Sequence, residues 1–537
     1  MAPGRDALIT ESGAVPQTLL KSNRDENELY DVIIIGSGMG GGVVASALAD
    51  ENKKVLVLEA GSLLFPTHVG NLPRRLLIGK FQKHIWSLWE NFSVKNYNNL
   101  PGSAYDGGQA FNLGGRSIFW GSSIPPLAEW ELGVWPKSVK DYLMDESEVG
   151  GYSLARGVFN SDQPVLQPFH QKSTQLLEGL LGSEWEVRPA PVAVEYSGPT
   201  EWSVPSGIFS TADLLLEDAL VENAQGRRMP LTVNLNHAVW DIVFDPADKK
   251  RATGVRCYDL LDKRPRTYKA NAVVVCAGTL ESAKIALNSG IANDKVGKGI
   301  VDHPIYFRHF VVPPNTLDRL GLKNDPSVAP PRREPESAKI LIRHKFATRQ
   351  NHAFDIIVEL GAQFNQGRFV DRDHIKDDLN LRNGYLLCEI VFQFYAPLIE
   401  GNSVTLAPGG NFGSPVNVQM QRAPLDDGLL REARSIAKMV FDKLDAQSVF
   451  GEDGINGADG LPNLMEAAVG GVAHEVGTLR MTVGGQQGVV DENLKFEGYK
   501  NLYACDNSVF PCSPAGNPSL TLVALARRCA KEVARHV

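Results

Sequence analysis

Residues 30–42 read YDVIIIGSGMGGG, a short β-branched run that stops abruptly at glycine. Tyr30 to Ile35 has the length and composition of a buried strand. Gly36-Ser37-Gly38-Met39-Gly40-Gly41 then has G-x-G-x-x-G spacing, and Val43 to Ala49 favours a helix. Lys54 to Glu59 (KVLVLE) is a second strand that ends in an acid 23 residues after Gly36 (59 − 36). Each part has a physical task in a dinucleotide site. Gly36 permits the tight turn, Gly38 lets backbone approach a pyrophosphate, and Gly41 lets helix and strand pack closely. The helix N-terminus presents N–H groups and partial positive charge to phosphates, and Glu59 can accept two ribose hydroxyls.

Farther along, Leu231–Leu235, Val239–Phe244 and Gly254–Leu260 read as a β-meander. Ala272–Cys276 (AVVVC) is another strand, followed by a helix that runs through Asn288. Asn501–Asp506 (NLYACD) reads as a buried strand and Ser519–Val533 as a helix. Dinucleotide-binding pieces therefore recur at both ends and in the middle of the chain. The intervening stretches must build caps or a second domain.

The chain has 537 residues, of which 43% are hydrophobic and 22% charged, an ordinary composition for a soluble globular protein. With 54 basic and 62 acidic residues the net charge is −8, which argues against nucleic acid or an anionic membrane as partner. The six cysteines form no CxxC pair, so neither a zinc site nor a disulfide scaffold is signalled. No leader-like apolar core follows Met1, and the expectation is a soluble, cytoplasmic protein. The ten histidines other than His474 show no metal-ligand spacing.

These pieces resemble the glucose–methanol–choline (GMC) family of flavin oxidoreductases. The resemblance rests on YDVIIIGSGMGGG with VLVLEAG, on Asn112–Ser117 with Trp120-Gly121, and on residues 272–290 and 296–304. It also rests on HEVGTLRM (474–481) and on residues 501–528. It implies an α/β protein with a Rossmann-like FAD-binding domain and an antiparallel-sheet substrate-binding domain. The implied division is an arm at 1–24, an FAD domain from 25–130, 230–310 and 466–537, and a substrate domain from 131–229 and 311–465. It further implies FAD contacts by Gly36, Gly38, Gly41, Glu59, Gly115, Ser117, Val239, Asp506, Pro518 and Ser519.

HEVGTLRM and GNPSLT look most like the pyranose-oxidase branch, which pairs a histidine with an asparagine; here these are His474 and Asn517. That branch carries Thr-His-Trp with a flavin-linked histidine, whereas this chain reads Ile118-Phe119-Trp120. Phenylalanine cannot form the bond, so FAD is expected to be held non-covalently. Gly121 replaces a threonine that could approach flavin N5, which leaves oxygen or another acceptor as alternatives.

Alcohol oxidation removes a hydroxyl proton and a hydride from one carbon centre. Histidine suits the proton because its pKa lies near neutrality, and the Asn517 amide can hold the substrate oxygen. Hydride would go to flavin N5. Pro518 suits the first turn of the last helix, whose N-terminus would steady negative charge on reduced flavin. The residues alone also allow blander roles. Asn517 is a good helix cap, His474 lies in a glycine-rich stretch, and Asp506 could be a loop acid. His303 in Asp-His-Pro reads as a structural contact, and Trp86, Trp89, Trp130 and Trp135 as packing or sugar stacking. The run 371–378 reads as a solvated surface.

The expected function is oxidation of a CH–OH group, foremost a secondary hydroxyl of a sugar or glycoside, by hydride transfer to FAD with His474 as base. Alternatives are a non-sugar alcohol such as a secondary metabolite or sterol, or a GMC-type hydroxynitrile lyase with structural FAD.

Overall fold

The computed structural model describes residues 23–71, 92–159, 168–195, 207–220, 230–322, 338–361, 385–410, 413–449 and 454–537, with short pieces between 77 and 89. Almost all of the expected arm, Trp86 and the run 371–378 lie outside the described residues.

The fingerprint folds as its pattern requires. Strand β1 (Leu29–Ile35) leads into helix α1 (Met39–Asp50) and strand β2 (Val55–Leu58). Later come β3 (Leu231–Asn234), β4 (His237–Phe244), β5 (Ala252–Asp259) and β6 (Arg264–Val275). Helix α2 (Thr279–Asn288), strand β7 (Leu502–Ala504) and helix α3 (Ser519–Ala534) complete the unit. A parallel sheet runs in the order β7-β6-β1-β2-β3. Its strands read as continuous apolar runs because helices or loops cover both faces.

The expected meander is displaced by one strand. Leu231–Asn234 pairs in parallel with β2, and the antiparallel meander is β4-β5-β6. Only Leu235 and Asn236, the latter at φ 60°, separate β3 from β4, so the sequence has the look of a hairpin. The chain instead leaves the parallel sheet at that corner. Strand β6 belongs to both arrangements: its first half pairs with β5, and its second half joins β1 and β7.

A second sheet is antiparallel throughout. Its order is Met465–Glu466, Ile305–Val312, Leu386–Phe394, Phe354–Leu360, Ala338–His344 and Trp185–Pro189. One face buries Ile340, Ile356, Ile390 and Phe392 against the helices Pro168–Leu181 and Asp427–Leu444. The other face looks into a cavity shared with the parallel sheet.

The packing crosses the expected division at three places. Strand Ile305–Val312 runs through position 310. Helices Lys137–Met144 and Gly151–Val158 bury Val139, Leu143, Tyr152 and Ala155 in the core of the parallel sheet. Ile399–Leu406 and Val416–Gln419 build a small sheet with Lys298–Gly299 and Tyr97–Asn99. Among the described residues no helix is long and apolar enough to cross a membrane.

Candidate active site

A cavity of about 580 Å³ opens at the carboxyl ends of β1, β2, β6 and β7 and is roofed by the antiparallel sheet. Ligands of open α/β sheets sit at this edge because the helix N-termini and glycine turns converge there.

Glycine shapes the lower wall. Gly36 has φ 97°, and a Cβ on it would lie 2.5 Å from the Cys276 carbonyl oxygen. A Cβ on Gly41 would lie 2.0 Å from the Gly36 carbonyl oxygen, so this glycine packs α1 onto β1 and does not line the cavity. Gly40 approaches the Cys505 carbonyl just as closely, a constraint that spacing did not assign. Gly38 borders the cavity, with nothing within 4 Å of where a Cβ would stand. A Cβ on Gly115, which has φ 51°, would lie 3.1 Å from Gly38 Cα, so the 112–117 loop lies directly on the fingerprint.

Ser117, Val239, Asp506, Pro518 and Ser519 all border the cavity, as do Gly36 and Glu59. Several polar side chains are already engaged. The Ser117 hydroxyl donates to Gly114 O and accepts from Thr211 N, which ties this loop to a neighbouring helix. Glu59 accepts from Ser37 N at 3.1 Å, from the Ser37 hydroxyl at 2.6 Å and from Gly61 N at 2.8 Å. Burial raises its pKa despite these bonds. Asp506 accepts from Gly278 N, the Ser282 hydroxyl and Ser508 N, and burial raises its pKa too. Val239 lies beside the β-bulge that breaks the β4–β5 register before Asp241.

His474 and Asn517 meet: Asn517 Nδ2 is 3.5 Å from His474 Nε2. The cap position of α3 is Pro518, with no side-chain cap, so the Asn517 amide is directed to His474 instead of to the helix. His303 supplies what the motif did not reveal. Its Nδ1 lies 2.7 Å from the Pro514 carbonyl oxygen, and its Nε2 lies 2.9 Å from His474 Nδ1. A carbonyl only accepts, so His303 Nδ1 carries a proton and, in the neutral ring, Nε2 accepts. His474 must then donate from Nδ1, which leaves its Nε2 as an acceptor facing Asn517. One main-chain oxygen thus sets the tautomer two rings away.

The backbone around His474 is also held. Arg116 donates to Ala473 O at 2.9 Å and pairs with the buried Glu475 carboxylate at 2.6 Å. Glu475 also accepts from the Tyr105 hydroxyl at 2.6 Å. Burial works against the Arg116 charge, and the Glu475 carboxylate more than reverses this, so its pKa rises. Ala473 sits at φ 63°, a conformation that a non-glycine residue adopts only when its surroundings impose it.

Behind Asn517, Glu131 accepts from Gly516 N at 3.0 Å and from Ala128 N at 2.6 Å. Burial, followed by the Asp355 charge, pushes its pKa up to about 7, with Arg343 opposing. Arg343 pairs with Asp355 on the antiparallel sheet, so this cluster joins the sheet to the 514–517 loop.

His303, Arg116 and Glu475 all lie within or beside quoted motifs, but spacing does not say which neighbours touch across 100 residues or more. For the roof a signal existed: Asp355 and Glu359 in FDIIVEL, and Glu389 in LLCEIVFQF, are charges inside otherwise apolar strand runs.

Residues 206–305 and 400–526 match the N- and C-terminal family models described as GMC oxidoreductase. Residues 34–66 match an NAD(P)-binding Rossmann-like domain. A long-chain-alcohol oxidase of Arabidopsis thaliana is 23% identical over 97% of this chain and 70% of its own. A pyranose dehydrogenase of Agaricus campestris is 23% identical over 94% of this chain and 93% of its own. A structure of formate oxidase from Aspergillus oryzae, concerned with FAD modification in that enzyme, superposes with TM-score 0.64 at 16% identity. It covers 95% of this chain and 98% of that one, a likeness of fold.

Proposed function

We propose that the chain, whose residues 206–305 and 400–526 match the GMC oxidoreductase models, is an FAD-dependent member of that family that oxidises a CH–OH group, with a secondary hydroxyl of a sugar or glycoside as donor. The observation that carries this reading is the His303–His474–Asn517 arrangement, which presents a neutral imidazole Nε2 beside an amide donor at the cavity.

The residues present fit FAD. Gly38 opens onto the cavity, and the first amides of α1 face it with partial positive charge. The side-chain oxygens of Asn507 and Asn517 are buried with no hydrogen-bond partner among the described residues. Gly36, Gly38, Gly115 and the main chain at 517–519 would hold the dinucleotide. Glu59, already accepting three bonds, would take the ribose with its remaining lone pairs, and Asp506 would steady the ribityl side. Phe119 packs among Phe65, Trp89 and Phe92 and offers no atom for a covalent bond, which supports a group that would be held non-covalently. When bound, FAD supplies the two-electron acceptor for the hydride.

The protein's own work is proton handling and orientation. Asn517 Nδ2 donates to the substrate oxygen while His474 Nε2 takes the hydroxyl proton. His303 holds the His474 ring in the accepting tautomer and can share the positive charge that develops. Arg116 and Glu475 keep the 473–475 backbone in place.

The pyranose dehydrogenase relative supports the sugar reading. The long-chain-alcohol oxidase relatives favour a second, a non-sugar alcohol. Anaerobic stopped-flow absorbance with sugars, glycosides and alcohols decides between them. Bleaching of the oxidised flavin band by a carbohydrate is expected. A band bleached only by alkyl alcohols would sink the sugar reading, and one bleached by nothing would sink the oxidoreductase assignment.

A further inference from the structure

The inner face of the antiparallel sheet is banded. Lys339, Glu359, Glu389 and His309 are direct cross-strand neighbours in one transverse row. Lys339 Nζ lies 2.9 Å from Glu359, and His309 Nε2 lies 3.4 Å from Glu389. Two residues along each strand, Ile357 and Val391 form an apolar row. Two further on, Asp355 stands opposite Gln393, close to the Asn517 loop. Glu359, Glu389, Ile357, Val391 and Gln393 all border the cavity.

Two features of this face turn polar groups toward the cavity. Glu359 and Glu389 are each only 3% exposed, on directly opposed positions where like charges repel. Gln393 is 6% exposed, and its side-chain oxygen has no partner among the described residues. An acceptor buried without a donor is costly, so a donor brought by a ligand would be strongly favoured there.

We propose that this face is the specificity wall for an elongated, donor-rich substrate, a disaccharide or glycoside of two rings. One polar end lies at Gln393 beside His474 and Asn517, the ring faces lie over Ile357 and Val391, and the far hydroxyls lie at the Glu359–Glu389 pair. Four steps along the strand lead from Gln393 to Glu389, which at about 3.4 Å per residue is about 14 Å, longer than one sugar ring. Carboxylates accept from hydroxyls, and the Glu359–Glu389 pair together can grip a vicinal diol. A saturated alkyl chain at that end would strip water from two carboxylates and return no hydrogen bond. This inference rests on the sugar reading for the reaction, but its test reads binding separately.

The test titrates oxidised holoenzyme with glucose, galactose, cellobiose, lactose, maltose and 1-dodecanol, following both the flavin difference spectrum and flavin reduction. At least one disaccharide is expected to half-saturate at a concentration tenfold or more below its monosaccharides. Glu389→Gln and, independently, Glu359→Gln are expected to raise that value tenfold or more and to change the limiting reduction rate less than threefold. Flavin content and melting temperature identify a variant that has misfolded, and the second variant then carries the test. Equal half-saturation for mono- and disaccharides, tighter binding of dodecanol, or variants that lower only the limiting rate would each overturn the proposal. A disaccharide that binds tightly in this glutamate-dependent way yet never reduces the flavin would leave the wall standing and refute the proposed reaction.

Discussion

The two walls of the cavity are built on different principles. The lower wall is backbone: Gly36, Gly38 and Gly115 bring main chain to the surface, and its polar side chains, Ser117, Glu59 and Asp506, largely bond one another's loops. The roof is side chain: Lys339, Glu359, Glu389 and Gln393 project from three adjacent antiparallel strands. A backbone wall suits a ligand whose phosphates are always the same. A side-chain wall can be altered one residue at a time, and so suits the variable half of a reaction. His474 and Asn517 stand where the two walls meet.

The sharpest break of this picture is His474→Ala. It should lower the limiting rate of flavin reduction by about a thousandfold, since general-base contributions reach 10²–10⁴, while FAD content is retained. Stopped-flow rates and the protein-to-flavin absorbance ratio check it. Unchanged reduction would remove the seam from the chemistry.

Within the lower wall, two glycines should separate fold from ligand. Gly41→Ala drives a methyl into the Gly36 carbonyl and should cost about 1–3 kcal/mol or more in urea unfolding. Gly38→Ala points its methyl into the cavity, so the apoprotein should unfold as wild type does while FAD binds at least tenfold more weakly, as equilibrium dialysis would show. If both substitutions destabilised the apoprotein alike, the contrast would be lost.

His303→Asn tests the tautomer relay. The limiting reduction rate should fall about 10- to 100-fold, and the acidic limb of its pH profile should move, because the bond that sets His474 Nδ1 as donor is altered. A purely structural role would lower flavin content or melting temperature and leave the pH profile in place.

The smallest effect concerns the joint between the walls. Glu131 has an ordinary value of 4.5 and is pushed up to about 7 in the fold. The native state therefore binds this proton more tightly than the unfolded state, so stability should decline as pH rises from about 4.5 to about 7. Glu131→Gln should flatten that part of the melting-temperature profile. A variant with the same slope as wild type would assign the decline to other groups.

The sequence was most informative where function is carried by backbone. A glycine that must adopt φ 97°, or lie against a carbonyl, leaves its mark at a fixed spacing from the strand before it. That is why β1, α1, β2 and the Gly36–Gly41 turn were legible, and why Leu231–Asn234 was recognised as a strand although its partner was not. A buried strand shows its burial in composition, but its neighbour is chosen by the whole sheet, and a two-residue corner looks the same whether or not the chain turns back on itself. His474 and Asn517 were legible through motif resemblance. The contacts that select their tautomer and hold their backbone were not, because Pro514, His303 and Arg116 reach them from separate segments. Local spacing and composition thus determined the dinucleotide turn, and resemblance to a family's motifs pointed to the candidate pair. Only the tertiary structure decided which imidazole nitrogen accepts and which charges line the roof, since both depend on through-space neighbours and on burial, which short stretches of sequence do not encode.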